Sequence, residues 1–117
     1  MRFKLIVALV EDDKTDLTIE TAREKGATGC TVITNARGEG LKPQKTFLGL
    51  SVSGQRDVIL LLVEEHMSRQ ILEAIGNACK FEEEPGTGVA FQIDIEDAIG
   101  LRSQIKKIEQ EIDEEDL

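Results

Sequence analysis

Residues 36–55, ARGEGLKPQKTFLGLSVSGQ, connect two segments that the sequence predicts to be strands, residues 30–35 (CTVITN) and residues 57–63 (DVILLLV). A hairpin needs only about two residues to join its strands. Long connections without regular structure are uncommon in a compact domain, and they are usually functional or disordered. We therefore interpret residues 36–55, the long loop, as the functional segment around which the rest of the fold is organised.

The long loop also differs in charge from the rest of the chain. It is rich in glycine and holds Arg37, Lys42 and Lys45 against one acidic residue, whereas the whole protein carries a net charge of −9. A basic loop on an acidic body suggests an anionic ligand or partner, and a solvated loop with scattered lysines explains the charge equally well. The acidic balance argues against nucleic acid as the main partner, because phosphate backbones are bound through an excess of lysine and arginine.

The segments on either side of the long loop alternate between predicted strands and helices. They are an apolar strand over residues 3–10, a helix over residues 14–25, a helix over residues 64–79 and an alternating strand over residues 89–95. Asp12 or Asp13 is predicted to cap the first helix, and Gly26 is predicted to end it with a positive φ. The second helix carries a regular apolar stripe, which is typical of a face that packs against a core.

This order of elements predicts an α+β, ferredoxin-like βαββαβ fold with a four-stranded antiparallel sheet. The two helices cover one face of such a sheet. The strands are too apolar for the other face to meet water, so we expect that face to form an oligomer interface. The spacing of Leu101, Ile105, Ile108 and Ile112 adds a short amphipathic C-terminal helix that ends in acidic residues.

Several common classes of protein are disfavoured by what the sequence lacks. Cys30 and Cys79 have no metal-binding spacing and lie in predicted regular structure, so we expect two buried free thiols rather than a disulfide. No segment approaches the roughly 18 consecutive apolar residues of a membrane span, and no signal pattern begins the chain. A cytoplasmic protein is therefore expected.

Catalytic and metal-binding residues are not predicted. His66 is the only histidine, and no serine or cysteine stands at a recognised motif spacing, so a nucleophile–histidine pair has little support. We expect His66, with Glu64 and Glu65, to belong to the start of the second helix, where carboxylates suit the positive end of the helix dipole. The glutamates at residues 82–84 diverge in direction, which favours a solvated loop over a cation site.

Two turns that contain glycine suit the close approach of an anion, because glycine lets the backbone meet a ligand and successive N–H groups form anion-binding concavities. They are Gly38 and Gly40 at the start of the long loop, and Gly86, Thr87 and Gly88 before the last strand. Arg102, just past that strand, is a guanidinium that suits a phosphate. Plain tight turns and an exposed surface arginine are the alternative interpretations.

The chain resembles the PII signal-transduction (nitrogen regulatory) family in two stretches, GATGCTV at residues 26–32 and GTGVAFQID at residues 86–94. A long loop with glycines lies between them, and a basic residue follows the last strand, in the same order as in that family. The resemblance covers about residues 2–103. The resemblance rests on all of these features occurring in the same order, rather than on any one motif.

The resemblance implies a ferredoxin-like homotrimer that binds an adenine nucleotide (AMP, ADP or ATP) in clefts between neighbouring subunits, with Mg²⁺ and 2-oxoglutarate as further ligands. It makes the long loop the T-loop of the family, which contacts a target protein such as a membrane transporter through Lys42, Lys45 and Phe47. It thus implies a regulatory protein rather than an enzyme. Residues 1–103 would form the PII-like domain, and residues 104–117 would be an added acidic tail.

Roles for individual residues follow from the same resemblance. Thr31 would lie near the adenine, and Gly38 and Gly40 would match the paired glycines that open the T-loop. Gly86, Thr87 and Gly88 would form the turn that cradles the phosphates. This turn belongs to a second cleft loop, residues 80–88, and we name the whole of this loop the glycine turn. Arg102 would match the second of two arginines that neighbouring subunits offer to the phosphates.

The chain departs from the family pattern where a triphosphate would need positive charge. Val89 stands where a lysine follows the phosphate turn, and Gly100 stands where the first arginine is expected. Each missing charge-assisted hydrogen bond is worth about 1.5–3 kcal/mol. AMP, ADP or a cyclic nucleotide is therefore an alternative to ATP, unless Lys42 or Lys45 folds back to compensate. The long loop has no tyrosine, which excludes tyrosine uridylylation there.

Two other classes of function stay open. One is a trimeric divalent-cation-binding or structural protein like the divalent-cation-tolerance proteins, which share this fold. Tight metal binding through His66, the cysteines or residues 82–84, without nucleotide binding, would favour that class. The other is a small enzyme with its active site between subunits, which steady nucleotide turnover would favour.

Overall fold

The computed structural model describes residues 2–38, 46–47, 50–51 and 55–101 of the 117-residue chain. Its elements, in chain order, are β1 (Phe3–Glu11), a 3₁₀ turn (Asp12–Lys14), α1 (Thr15–Glu24), β2 (Thr31–Arg37), β3 (Thr46–Phe47), β4 (Leu50–Ser51), β5 (Gln55–Glu64), α2 (Glu65–Ala78) and β6 (Gly88–Asp94). The predicted order of four long strands and two helices is confirmed, with ends that differ by one or two residues. The short pair β3–β4 lies within the long loop.

The four long strands form one antiparallel sheet in the order β2-β5-β1-β6. The first and third of these strands in the chain, β1 and β5, lie at the centre, and β2 and β6 lie at the edges. This arrangement confirms the ferredoxin-like prediction. It also fits the nearly continuous apolar runs of β1 and β5, because β1 and β5 are the central strands of the sheet and carry apolar residues on both faces.

The core lies between the sheet and the two helices. Side chains of a strand alternate between faces, so every second residue of β1 and β5 points toward the helices. The buried residues of this layer are Ile6, Ala8, Val10, Ile59, Leu61 and Val63 from the strands, and Ile71 and Ile75 from α2. Burying each large aliphatic side chain contributes about 1.5–3 kcal/mol. The predicted apolar stripe of α2 is therefore confirmed, with Met67 and Leu72 packed at its margins.

The opposite face of the sheet, which we name the open face, is also apolar. Cross-strand registers align Leu5 with Leu62 and Val7 with both Leu60 and Phe91, so these side chains share a face that no described helix covers. Phe91 is 41% exposed, Ile93 48% and Ile33 50%. The predicted apolar face without a cover is thus present in the described part of the protomer.

Two predicted details of local structure are wrong. Asp12 and Asp13 do not cap α1, because they lie in the 3₁₀ turn that precedes it, and neither that turn nor α1 has a side-chain cap. Cys30 is exposed, because β2 begins one residue later and Cys30 belongs to an irregular connection. Two related predictions are confirmed: Cys79 is buried against the Thr18 hydroxyl (3.3 Å), and Gly26 has a φ of 109°.

The remaining predictions on the tail lie outside the described residues. They concern the C-terminal helix and the acidic segment of residues 104–117. Among the described residues, neither helix combines the length and the apolar character needed to cross a membrane.

Candidate functional site

The root of the long loop and the glycine turn lie at the same end of the sheet, which we name the loop end. Here β2 ends at Arg37, β5 begins at Gln55, β1 ends at Glu11 and β6 begins at Gly88. Arg37 pairs with Gln55, and Val10 pairs with Gly88. The fold therefore brings both glycine-bearing segments of the sequence to one end of the molecule.

The two segments nevertheless lie on opposite edges of the sheet. Gly38 directly follows edge strand β2, and Gly88 begins edge strand β6, with β5 and β1 between them. Three inter-strand spacings separate the edges by roughly 14 Å. A small anion cannot contact both segments within one protomer, whereas a second protomer placed against one edge can complete a site.

The glycine turn is held together by its own hydrogen bonds. The Thr87 hydroxyl donates to the Glu84 carbonyl oxygen at 2.9 Å, and the Thr87 amide donates to the same oxygen at 3.3 Å. Thr87 is buried, and Gly86 has a φ of 91°, a conformation that side chains rarely adopt. The hydroxyl of Thr87 is thus oriented into the turn, and these contacts fix the backbone of the turn.

Gly88 occupies a position where no side chain fits. A Cβ atom there would lie 2.5 Å from the Phe81 ring and 2.9 Å from the Leu9 carbonyl oxygen. The next residue, Val89, lines a groove of about 600 Å³ between α2 and β6, together with Phe81 and Glu82. The turn contributes an aromatic ring and a carboxylate to this groove, and the cation that lines it, Arg69 of α2, is paired with Glu73.

Thr31 lies on the open face, next to a second pocket. It is the first residue of β2, is exposed, and pairs with Leu60. The pocket has a volume of about 450 Å³ and is lined by Leu5, Thr28, Gly29, Cys30, Thr31, Leu60 and Leu62. Leucine side chains beside threonine hydroxyls suit a planar heterocycle, which needs apolar contact on its faces and hydrogen bonds at its rim.

A β-bulge changes the direction of the loop root. The register between β2 and β5 shifts between Ile33 and Ala36, and Asn35 has a φ of 62°. The extra residue places Ala36, rather than Asn35, opposite Arg56. Bulges of this kind bend a strand and re-aim the side chains that follow, and they are frequent beside functional sites.

An ion pair at the loop end is not among the features predicted from the sequence. The Arg56 side chain is only 4% exposed, and its Nη1 atom lies 3.4 Å from Oε1 of Glu11, which is 33% exposed. The two residues are direct cross-strand neighbours in β5 and β1. The only available signal was the opposite charge of Glu11, and it required the strand register to be recognised.

A cluster of metal-ligand side chains lies at the opposite end of β5. Glu64 caps α2: its Oε2 atom accepts from the His66 amide at 2.8 Å, and its Oε1 atom lies 2.6 Å from His66 Nδ1. The hydrogen bond and the charge of Glu64 raise the pKa of the exposed His66 above its ordinary value. One ligand atom from each of Glu64, Glu65 and His66 lies within 4.8 Å of the others. The prediction that these residues form the start of the helix is confirmed.

Several predicted site residues lie outside the part of the chain whose side chains are described. They are Gly40, Lys42, Lys45, Phe47 and Arg102. Their predicted roles stay predictions. Gly38 is described and half-buried where the chain leaves β2.

The fold of this chain is similar to the folds of several solved PII and PII-like proteins. CPII from Thiomonas intermedia, bound to ADP, AMP and acetate, aligns with a TM-score of 0.64 and 18% identity over 84% of this chain and 90% of that chain. The GlnK–ATP complex of B. subtilis aligns with a TM-score of 0.68 and 18% identity over 87% and 89% of the two chains. A PII-like signaling protein from Thermus thermophilus aligns with a TM-score of 0.60 and 21% identity over 81% and 87%.

The comparison of sequences reaches the same group. A search of curated proteins gave no match to this chain. The family model described as "Nitrogen regulatory protein P-II" matches residues 3–105, which include every long strand and both helices of the sheet domain. The chain therefore belongs to the P-II family of nitrogen regulatory proteins.

Proposed function

We propose that this protein is a non-enzymatic sensor that binds an adenine nucleotide between the protomers of a homotrimer and controls a target protein through the long loop. Membership of a regulatory family over residues 3–105 supports a regulatory role. The nucleotide is proposed because CPII carries ADP and AMP and GlnK carries ATP in their structures.

The observation that carries the proposal is the position of the two ligand segments. Gly38 and the glycine turn share the loop end of the sheet but lie on opposite edges, about three strand spacings apart. A ligand that needs both segments must therefore lie between two protomers. In this proposal Thr31 and Gly38 of one protomer face Gly86, Thr87 and Gly88 of its neighbour, and Arg102 contributes to the phosphates.

The open face supports a trimer. Phe91 and Ile93 on β6 and Ile33 on β2 are exposed apolar side chains at the two edges of this face, with the half-buried leucines of β1 and β5 between them. Exposed apolar surfaces of this extent mark interfaces, because leaving them in water costs about 25 cal/mol for every Å². Packing the open faces of three protomers together removes this surface from water and sets the edge strands of neighbours side by side.

The charge of the glycine turn favours nucleotides with few phosphates. Glu82, Glu83 and Glu84 are all exposed, and the following strand begins with Val89 in place of a cation. AMP or ADP is therefore proposed in preference to ATP, and 2-oxoglutarate and Mg²⁺ are secondary ligands to be tested.

Control of the target needs only that one nucleotide favours one state of the long loop over another, because a ligand shifts an equilibrium by its difference in affinity for the two states. A membrane transporter is one target class proposed for this loop, with Lys42, Lys45 and Phe47 as its contact residues.

We also propose that residues 1–103 are sufficient for the nucleotide site, so that a chain ending at residue 103 keeps its affinity for the nucleotide.

Isothermal titration of the whole protein with AMP, ADP, ATP, cyclic AMP and 2-oxoglutarate tests the proposal, together with analytical ultracentrifugation. We expect saturable binding of at least one adenine nucleotide to a trimer. A stable monomer, or no binding of any of these ligands, would remove the proposal.

A second candidate function has one specific observation in its favour. Glu64, Glu65 and His66 hold their ligand atoms within 4.8 Å of one another, which suits a divalent cation. A trimeric metal-binding protein of the same fold is the function that this cluster would support. Titration with Zn²⁺, Cu²⁺ and Ni²⁺ distinguishes the two candidates: tight binding that is lost in His66→Asn, without nucleotide binding, would favour the metal-binding protein.

A further inference from the structure

At the loop end, the last residues that lie opposite one another on neighbouring strands form a row across the sheet. This row connects the two edges of the sheet. Thr87, Glu11, Arg56 and Ala36 lie side by side across this row. The Glu11 amide donates to the Thr87 carbonyl oxygen at 3.2 Å, and the Glu11 carboxylate lies 3.4 Å from Nη1 of Arg56. Glu11 therefore holds the glycine turn with its backbone and the start of β5 with its side chain.

The environment of this pair distinguishes it from an ordinary surface ion pair. The Arg56 side chain is 4% exposed, so its charge is shielded from water and interacts strongly with a neighbouring carboxylate. The Lys4–Asp94 pair also joins β1 to a neighbouring strand, but its side chains are 27% and 85% exposed. A displacement of Glu11 thus carries a larger electrostatic consequence than a displacement of Asp94.

The backbone geometry gives Glu11 little freedom to move independently of the turn. The turn is closed by the bonds from Thr87 to the Glu84 carbonyl oxygen, and the next bond outward is the one from Glu11 to Thr87. A ligand that binds the backbone of the turn and shifts it must therefore shift the end of β1. The Glu11 carboxylate moves with the end of β1. The buried guanidinium of Arg56 then either moves with the carboxylate or loses its contact with Glu11.

We propose that Glu11 is a positioning residue that couples the glycine turn to the root of the long loop, so that a nucleotide bound at the turn changes the order of residues 55–57 in the same protomer. The inference rests on the proposed function, because it takes the glycine turn as a ligand-binding segment. It goes further by naming the residue that carries the effect across the sheet. Two sites are coupled when both bias one structural element, and here that element is the row that contains Glu11.

Amide hydrogen exchange of the whole protein, measured with and without AMP, ADP or ATP at saturation, tests this coupling. In the native protein we expect exchange in residues 55–60 to slow by about threefold or more when the nucleotide binds. Glu11→Gln keeps the size of the side chain and removes its charge. We expect Glu11→Gln to bind the nucleotide with an affinity within about threefold of the native value and to lose the change at residues 55–60.

Asp94→Asn is the matched control, since it neutralises the carboxylate of a second ion pair that joins β1 to a neighbouring strand. It should behave like the native protein. An unchanged exchange response in Glu11→Gln would overturn the coupling and leave the proposed function intact, and it would indicate that the ligand contacts the start of β5 directly. A native protein that binds nucleotide without any response at residues 55–60 would also overturn it. Failure of every nucleotide to bind would remove the proposed function and the coupling together.

Discussion

The hydroxyl group of Thr15, the first residue of α1, donates a hydrogen bond of 2.6 Å to Oδ2 of Asp57 near the start of β5. Both residues are buried, at 8% exposure each. The bond joins the first helix to the strand that follows the long loop. It gives a buried carboxylate a donor, and a buried charge without a hydrogen bond is strongly unfavourable.

Thr15→Val removes this donor while it keeps the shape of the side chain. Hydrogen bonds to charged groups contribute about 1.5–3 kcal/mol, so we expect the free energy of unfolding to fall by about that amount. Urea denaturation monitored by circular dichroism measures the change. Thr15→Ser retains the hydroxyl and serves as the control. Equal stability of the valine and serine variants would show that the bond contributes nothing.

Gly88→Ala tests the packing of the glycine turn. An added Cβ would lie 2.5 Å from the Phe81 ring and 2.9 Å from a backbone oxygen, so the ring and the strand must both shift. Overpacking of this kind costs about 1–3 kcal/mol, which denaturation in urea should detect. Gly76→Ala is the matched control, because a Cβ at Gly76 meets no atom within 4 Å and alanine favours the helix by up to about 1 kcal/mol. A destabilised Gly76→Ala or a native-like Gly88→Ala would contradict this account.

Phe91→Glu tests the open face as an interface. Phe91 is 41% exposed in the protomer, and a carboxylate there would be buried without a partner if three such faces meet. We expect the trimer to dissociate, as sedimentation velocity would show. Leu17→Glu provides a control with equal exposure, since Leu17 is also 41% exposed but lies on α1. Dissociation by both variants, or by neither, would argue against the open face as the interface.

Val89→Lys restores a cation where the family pattern has one. A charge-assisted hydrogen bond to a phosphate contributes about 1.5–3 kcal/mol, so ATP affinity should rise by about tenfold to a hundredfold. AMP affinity should change less, because AMP places fewer charges near the turn. Titration calorimetry of both nucleotides measures the ratio, with Val89→Met as an uncharged control of similar length. An equal gain in affinity for ATP and AMP would show that residue 89 does not lie near the phosphates that ATP has and AMP lacks.

The His66–Glu64 pair predicts a small dependence of stability on pH. Glu64 raises the pKa of His66 above its ordinary value of 6.5, first through a hydrogen bond and then through its charge. The stabilisation is therefore fully present below pH 6.5 and is lost as the pH rises through the raised pKa. Because the chain has a single histidine, its Cε1 proton gives one resolved signal in an NMR titration.

We expect Glu64→Gln to lower the pKa of His66 and to remove the pH dependence. Glu65→Gln should lower the pKa less, because Glu65 acts on His66 only through its charge and is a minor cause of the shift. A native His66 that titrates below 6.5 would contradict the geometry of the pair.

The fold was readable from the sequence because its strongest signals are periodic. The apolar run of β1 and the spacing of Ile71 and Ile75 on α2 follow directly from which faces are buried. The same patterning predicted the open face, although periodicity does not say what covers it. Each of these features is visible in the sequence of a single strand or helix.

The details that were missed depend on how elements pair. Arg56 is buried because the register of β5 against β1 sets it beside Glu11, and Asn35 adopts a positive φ because β2 contains one residue too many for its partner. Neither fact is visible in a single strand. The Cys30 prediction failed for a related reason, since a shift of one residue in the start of β2 moved it from a strand into a connection. Strand register is set by tertiary contacts, which local propensity does not contain.

The bulge in β2 has a consequence for the solubility of the protein. β2 is an outer strand of the sheet, and a long, straight outer strand can recruit further strands and grow into fibrils. The interruption between Ile33 and Ala36 shortens the regular edge of β2 to a few residues on either side. Deleting Asn35 would straighten this edge. We expect the deletion to shorten the lag time of fibril formation in thioflavin T assays, so that a kink at the loop root also protects the chain from polymerising.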